Sequence, residues 1–191
     1  MHSSSPITLI LDGFFGSHQR WESLCRLLDA SGNPSEIWTY SNTGRKSLEE
    51  LGTQLATHIQ SIRHPVHLVG YSMGGLVVRE AIRQSPSLPI QKAALLCTPH
   101  HGSLTAWTLP LPAIRQIRPG SAFLKRLNAA PWSLPTLNVW CPADLMVFPG
   151  RSAYWEKASH SYCCLIPAHA WPVYSKTIQK KIARFLVSSS P

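Results

Sequence analysis

Gly70-Tyr71-Ser72-Met73-Gly74 directly follows the apolar run Val66 to Val69 and precedes a helical stretch from Leu76 to Arg83. A serine between two glycines at a strand-to-helix turn is held with strained backbone angles, so that its hydroxyl projects from the carboxyl edge of a sheet. Cβ atoms in place of the glycines would clash there. At average composition this pentapeptide pattern arises by chance in roughly one chain in fifteen of this length. Its weight therefore rests on the strand before it, the helix after it, and the partners a serine nucleophile needs. A hydroxyl is a poor nucleophile at neutral pH. It requires a histidine within hydrogen-bond reach as general base, and a carboxylate to orient that histidine.

Where the serine sits on such a turn, the partners follow in the order serine, acid, histidine. After Ser72 the chain has only Glu80, Asp144 and Glu156 as carboxylates. Glu80 falls two turns into the following helix and points away from the serine. Asp144 lies just past a strand-like run ending at Cys141, in the loop where open α/β sheets bind ligands. Glu156 falls farther from that edge. Of the later histidines, His160 precedes the last strand-like run, at the wrong edge, whereas His169 follows it in Pro167-Ala168-His169-Ala170-Trp171. Ser72, Asp144 and His169 are thus the expected nucleophile, acid and base. An oxyanion formed on acyl attack needs two backbone N–H donors, one after the nucleophile and one from an earlier loop. Met73 and Phe14 fill these positions, the latter in Asp12-Gly13-Phe14-Phe15-Gly16.

These residues depend on elements that put them at one edge. Short apolar runs read as buried strands at Ile7–Leu11, near Glu36–Tyr40, at His67–Val69, Ala93–Cys97, Leu137–Cys141 and Ser161–Ile166. Between them lie helix-spaced stretches: Trp21 to Leu28; Leu48 to Ile62 with Ser47 as N-cap; the stretch after Ser72; and a last one from about Val173 to Leu186, with Tyr174, Ile178, Ile182 and Phe185 facing the sheet. Strands alternating with helices imply a mostly parallel sheet of about six strands, covered on both faces. The segment 103–135 breaks the alternation, being long, apolar and proline-rich. It is read as a small cap over the carboxyl edge or, equally, as added core. In the cap reading Phe15, Trp107, Leu109 and Trp171 are the candidate substrate contacts.

With 191 residues, 44% apolar and 14% charged, the chain is expected to form one domain, 1–191, without extended disorder. Only Met1 to Pro6 precede the first strand, with no leader of signal-peptide form and no run of transmembrane length, which reads as cytoplasmic. The five cysteines, without C-x-x-C spacing, indicate neither a disulfide framework nor a zinc knuckle and are expected to be buried thiols. A net charge of +9 favours anionic partners. Its densest cluster, Lys176, Lys180, Lys181 and Arg184, has no aromatic stacking platform around it. It suits a solvated helix face, or peripheral contact with an anionic membrane, better than nucleic acid. The oligomeric state is left open.

Taken together, the residues resemble the small α/β-hydrolase lipases and esterases, including the minimal bacterial lipases. Besides the elbow, Thr98-Pro99-His100-His101-Gly102-Ser103, Pro119-Gly120-Ser121-Ala122-Phe123-Leu124, and Asp144 with Val147 and Pro149 carry the likeness over most of the chain. The resemblance implies an α/β-hydrolase fold, Ser72, Asp144 and His169 as catalytic residues, Phe14 and Met73 as oxyanion donors, and no cofactor or metal. The implied function is hydrolysis of a lipid-derived carboxylic ester through an acyl-enzyme. A thioesterase or acyltransferase would use the same residues, and a catalytically weak binder of lipid or a partner protein is the alternative outside enzymes. The chain departs from the family at Asp12, where a histidine is usual. A carboxylate turned inward would repel a developing oxyanion or mark an altered reaction; one turned outward would bind loop amides and leave the site intact.

Overall fold

The computed structural model describes residues 5–165 and 168–188. Six strands, β1 (Ile7–Leu11), β2 (Ser35–Ile37), β3 (Val66–Tyr71), β4 (Ile90–Leu96), β5 (Thr136–Trp140) and β6 (His160–Cys163), form one parallel sheet in the order β2-β1-β3-β4-β5-β6. Because side chains alternate along a strand, the central strands feed two cores. Leu9, Leu11, Leu68, Ala93 and Leu95 pack on one face, against α2 (Leu48–Ser61) and α3 (Met73–Gln84). Ile10, Val69, Tyr71, Ala94 and Leu96 pack on the other, against α1 (Glu22–Ala30) and α7 (Lys176–Val187). Ser47 caps α2 by accepting from the Glu50 N–H. The strand order reverses direction beside β1, so the loops after β1 and β3 part there and leave a crevice at the carboxyl edge.

Three elements differ from expectation. The strand expected near Glu36–Tyr40 ends at Ile37. Trp38 still donates to the Ile10 carbonyl at 3.0 Å, but beyond it the chain turns so that the Tyr40 hydroxyl donates to the Asp12 carbonyl, which takes it off the sheet. The last helix is broken into α6 (Trp171–Tyr174) and α7, with Ser175 capping the latter. The break turns Tyr174 outward, 59% exposed, whereas Ile178 and Ile182 stay buried as the spacing required. The last strand ends at Cys163, and Ile166, expected within it, lies outside the described residues.

The segment 103–135 divides. Its first part, a 3₁₀ turn at Leu104–Trp107 and α4 (Pro112–Gln116), lies over the carboxyl edge. Its second part, α5 (Ala122–Ala129), buries Phe123, Leu124 and Leu127 in the core shared with α2 and α3. Of the cysteines, Cys97, Cys141 and Cys164 are buried and Cys25 half-buried; Cys163, expected to be buried, is exposed on the edge strand.

Candidate active site

Ser72 occupies the turn from β3 to α3 with φ 52° and ψ −122°, a strained conformation for a residue with a Cβ. The turn is possible only because of its glycines. A Cβ on Gly70 would lie 2.6 Å from the Gly75 Cα, and one on Gly74 would lie 2.5 Å from the Asp12 carbonyl oxygen. The elbow is therefore wedged between its own helix and the end of β1.

Asp144 and His169 arrive from the ends of β5 and β6. His169 Nε2 lies 2.9 Å from Ser72 Oγ, and its Nδ1 lies 2.6 Å from Asp144 Oδ2. Asp144 is 1% exposed. Its other oxygen accepts the N–H groups of Met146 and Val147 at 2.8 and 2.9 Å, which fixes the carboxylate and leaves one oxygen for the imidazole. The Cys97 thiol also bonds to Asp144, and burial pushes it well above the ordinary thiol range, so it stays protonated. Cys97, Asp144 and His169 bring one ligand atom each within 4.8 Å of one another, a spacing that a metal ion would also accept. In this structure those same atoms are engaged in the hydrogen bonds just described.

Asp12 is turned away from the serine. Oδ1 accepts from the Gly13 N–H at 2.6 Å and Arg20 Nη2 at 2.5 Å; Oδ2 accepts from Arg20 Nε at 2.6 Å and the Trp21 indole N–H at 2.9 Å. The two-pronged guanidinium pair neutralises the carboxylate and ties the loop after β1 to the start of α1. Within that loop the Phe15 N–H donates to the Asn42 carbonyl and the Gly16 N–H to the Gly13 carbonyl. The Phe14 N–H has no such acceptor among the described residues. Met73, the first residue of α3, likewise has no acceptor one turn earlier. Both line a cavity of about 110 Å³ beside Ser72, whose wall is otherwise mainly apolar: Pro99, Ala106, Leu109, Ile114, Ile117, Val147. A larger cavity, about 380 Å³, lies between residues 82–91 and 130–135, before β4 and β5 and so at the opposite edge of the sheet.

Of the expected substrate contacts, Leu109 is in the cavity wall. Phe15, Trp107 and Trp171 stand outside it, 69%, 61% and 62% exposed. Glu80 is buried and paired with Arg83 at 2.8 Å, and the exposed Glu156 pairs with His101. His100 is fully buried. Arg79 Nη1 donates to its Nδ1 at 3.0 Å, so the ring proton sits on Nε2 and points to Asn138 Oδ1 at 3.2 Å. Burial and the neighbouring guanidinium hold its pKa well below the ordinary range, leaving it a neutral structural side chain.

The family model for the alpha/beta hydrolase family matches residues 12–188. The chain belongs to the alpha/beta hydrolase family. Among solved structures, the mature form of the Bacillus licheniformis lipase BlEst2 superposes with a TM-score of 0.77 at 16% identity, over 99% of this chain and 94% of that one. A monoacylglycerol lipase from Paleococcus ferrophilus gives 0.74 at 15%, over 98% and 97%. A bromoperoxidase from Bacillus anthracis gives 0.75 at 14%, over 98% and 94%. At these identities the likeness is one of fold. No curated protein matches the chain.

Several residues that shape this alpha/beta hydrolase's site escaped sequence reasoning. Tyr71, the variable position of the elbow, donates its hydroxyl to the His169 carbonyl at 2.9 Å, and burial raises its pKa so that it remains a donor. Ser103 Oγ donates to the Met146 carbonyl and accepts from the Phe148 N–H, both at 2.9 Å, clamping the loop that carries Asp144. Arg20 carried a faint signal, as a cation within reach of an otherwise unexplained Asp12. Tyr71 and Ser103 carried none, since both act through backbone groups that only folding brings near.

Proposed function

We propose that the protein is a serine carboxylic ester hydrolase working through an acyl-enzyme on Ser72. The observation that carries this reading is the hydrogen-bonded chain from Ser72 through His169 to Asp144, opening on an apolar cavity. His169 Nε2 takes the proton from Ser72 Oγ as the oxygen attacks the acyl carbon, while Nδ1 keeps its own proton, donated to Asp144, whose carboxylate stabilises the imidazolium. The resulting oxyanion accepts from the Phe14 and Met73 N–H groups. Collapse expels the alcohol, which receives the proton from His169. Water then repeats the sequence on the acyl-enzyme and releases the acid. Phe14 and Met73 act as donors here and Leu109 as a wall of the acyl site, under a cap formed by the first part of segment 103–135. A cavity of about 110 Å³, below the usual range for drug-sized ligands, suits a short or slender acyl chain, with the rest of a lipid-derived ester outside.

Thioesters or alcohol acceptors would engage the same atoms, and competition between water, alcohol and thiol acceptors separates these chemistries. Two features favour a non-catalytic binder, Asp12 and the basic surface; the pairing of Asp12 with Arg20 takes away the first and leaves the second. The test is the intact mass after treatment with a fluorophosphonate, alongside turnover of short and medium p-nitrophenyl esters. One adduct and measurable turnover are expected for the wild type, with neither in Ser72→Ala. Unchanged turnover in that variant would sink the assignment.

A further inference from the structure

Scattered exposed apolar side chains are ordinary, but a contiguous patch of them marks an interaction site. Among the described residues, every large exposed apolar side chain except Val187 lies in a segment leaving the carboxyl ends of the strands. Leu145, Leu165 and Phe148 are 74%, 81% and 50% exposed, alongside Phe15, Trp107 and Trp171. Three of these segments, those carrying Phe15, Leu104 and Phe148, meet at the cavity. The Phe15 ring lies 4.5 Å from that of Phe14 in the cavity wall. The Leu104 N–H donates to the Phe148 carbonyl at 2.8 Å, and Thr105 Oγ1 donates to the Met146 carbonyl at 2.6 Å. Trp171 follows His169 by two positions.

Charge on this face is one-sided. Segments 12–17, 38–47, 97–121, 141–155 and 164–175 contain Arg45, Lys46, Arg115, Arg118 and Arg151, against only two carboxylates, Asp12 and Asp144, both buried. Lys46 is paired with Glu50, and Glu156 with His101 stands on the flank. The Arg118 guanidinium lies 4.3 Å over the exposed Trp107 ring, a cation held at the rim. An indole ring under a guanidinium, exposed leucines on loops at the same edge, and no exposed carboxylate within these segments match the chemistry of an anionic bilayer surface: phosphates, interfacial region, acyl chains. A protein seated here would close the mouth, whereas a lipid surface would feed it.

We propose that the protein docks mouth-down on an anionic lipid surface through this rim, and not through the basic face of α7. The proposal rests on the hydrolase reading only in that the docked face is the one holding the Ser72 cavity. Flotation of the Ser72→Ala protein with vesicles of phosphatidylcholine, alone or with phosphatidylglycerol, tests it. Binding is expected to favour the anionic vesicles and to persist in part at high salt, because the apolar share is not screened. The partition coefficient is expected to fall roughly tenfold in Trp107→Ala and in Leu145→Ser with Leu165→Ser. It should be unchanged when Lys176, Lys180 and Lys181 become glutamine. Circular dichroism checks that each variant is folded, and quenching by brominated lipid should lose a component in Trp107→Phe. Absence of binding, or loss of binding with the α7 changes alone, overturns the proposal. So does a dimer that dissociates in the rim variants without any vesicle binding, which would assign the face to a second copy. Turnover of a soluble short ester, expected to be unaltered in the leucine variants on the Ser72 background, is read separately. Turnover without vesicle binding removes only the docking; vesicle binding without turnover removes only the hydrolase reading.

Discussion

Asp12 and Asp144 are two buried carboxylates placed alike, each just beyond the end of a parallel strand, yet their surroundings assign them opposite tasks. Asp144 is held by two backbone N–H groups on one oxygen and keeps the other for the His169 imidazole. Asp12 spends both oxygens on the Arg20 guanidinium, with the Trp21 indole and its neighbour's N–H completing the set. A buried carboxylate must be satisfied. What satisfies it decides its use: neutral donors leave its charge available to a partner that becomes cationic, whereas a guanidinium consumes the charge and turns the group into a structural tie.

The largest effect expected from breaking this contrast is at Asp144. Asp144→Asn keeps the shape but removes the charge that orients and stabilises His169, and kcat on a soluble ester should drop by about 10³–10⁴ with KM little changed. At Asp12 the same substitution should act mainly on stability. With Arg20 left half-buried and uncompensated, a loss of about 3 kcal/mol is expected by urea denaturation. Activity should fall only about 10–100-fold, through a looser loop at Phe14, the donor proposed above. Equal kinetic losses at the two positions would show that Asp12 belongs to the chemistry after all. The smallest effect concerns acid sensitivity, shared by two buried histidines that stay neutral, His100 and His67. Burial, with Lys92 nearby, lowers the His67 pKa from 6.5 to about 4. The unfolded chain therefore binds a proton that the folded one refuses between those values. The stability this contributes is whole above about pH 6.5 and is lost as pH falls toward 4. Replacing His67 by glutamine should lessen the dependence of urea midpoint on pH across that window, His100 supplying the remainder, and an unaltered slope would assign the whole effect to His100.

Much of the arrangement was legible before folding because a parallel sheet is a sorting device. Every loop after a strand emerges at one edge, so Ser72, Asp144 and His169 could be assigned to that edge from strand ends alone, and the structure places them there in contact. The short edge strand was misjudged at Glu36–Tyr40 because Trp38 and Tyr40 have strong strand preferences but stack on each other, 5.2 Å apart, beside the sheet. Tyr174 kept helical spacing with Ile178 and Ile182, and only the break at Ser175, invisible in the periodicity, turned it out.

The sequence by itself determined the alternation of strand and helix, the glycine-lined elbow, and the order in which serine, acid and histidine follow one another, because these are local or depend only on which strand a residue follows. Tertiary structure alone decided where Asp12 points, which tyrosine and serine brace the loops, and that segment 103–135 is half cover and half core. Each of these turns on directions and distances between residues far apart in the chain, and composition and spacing carry no record of direction.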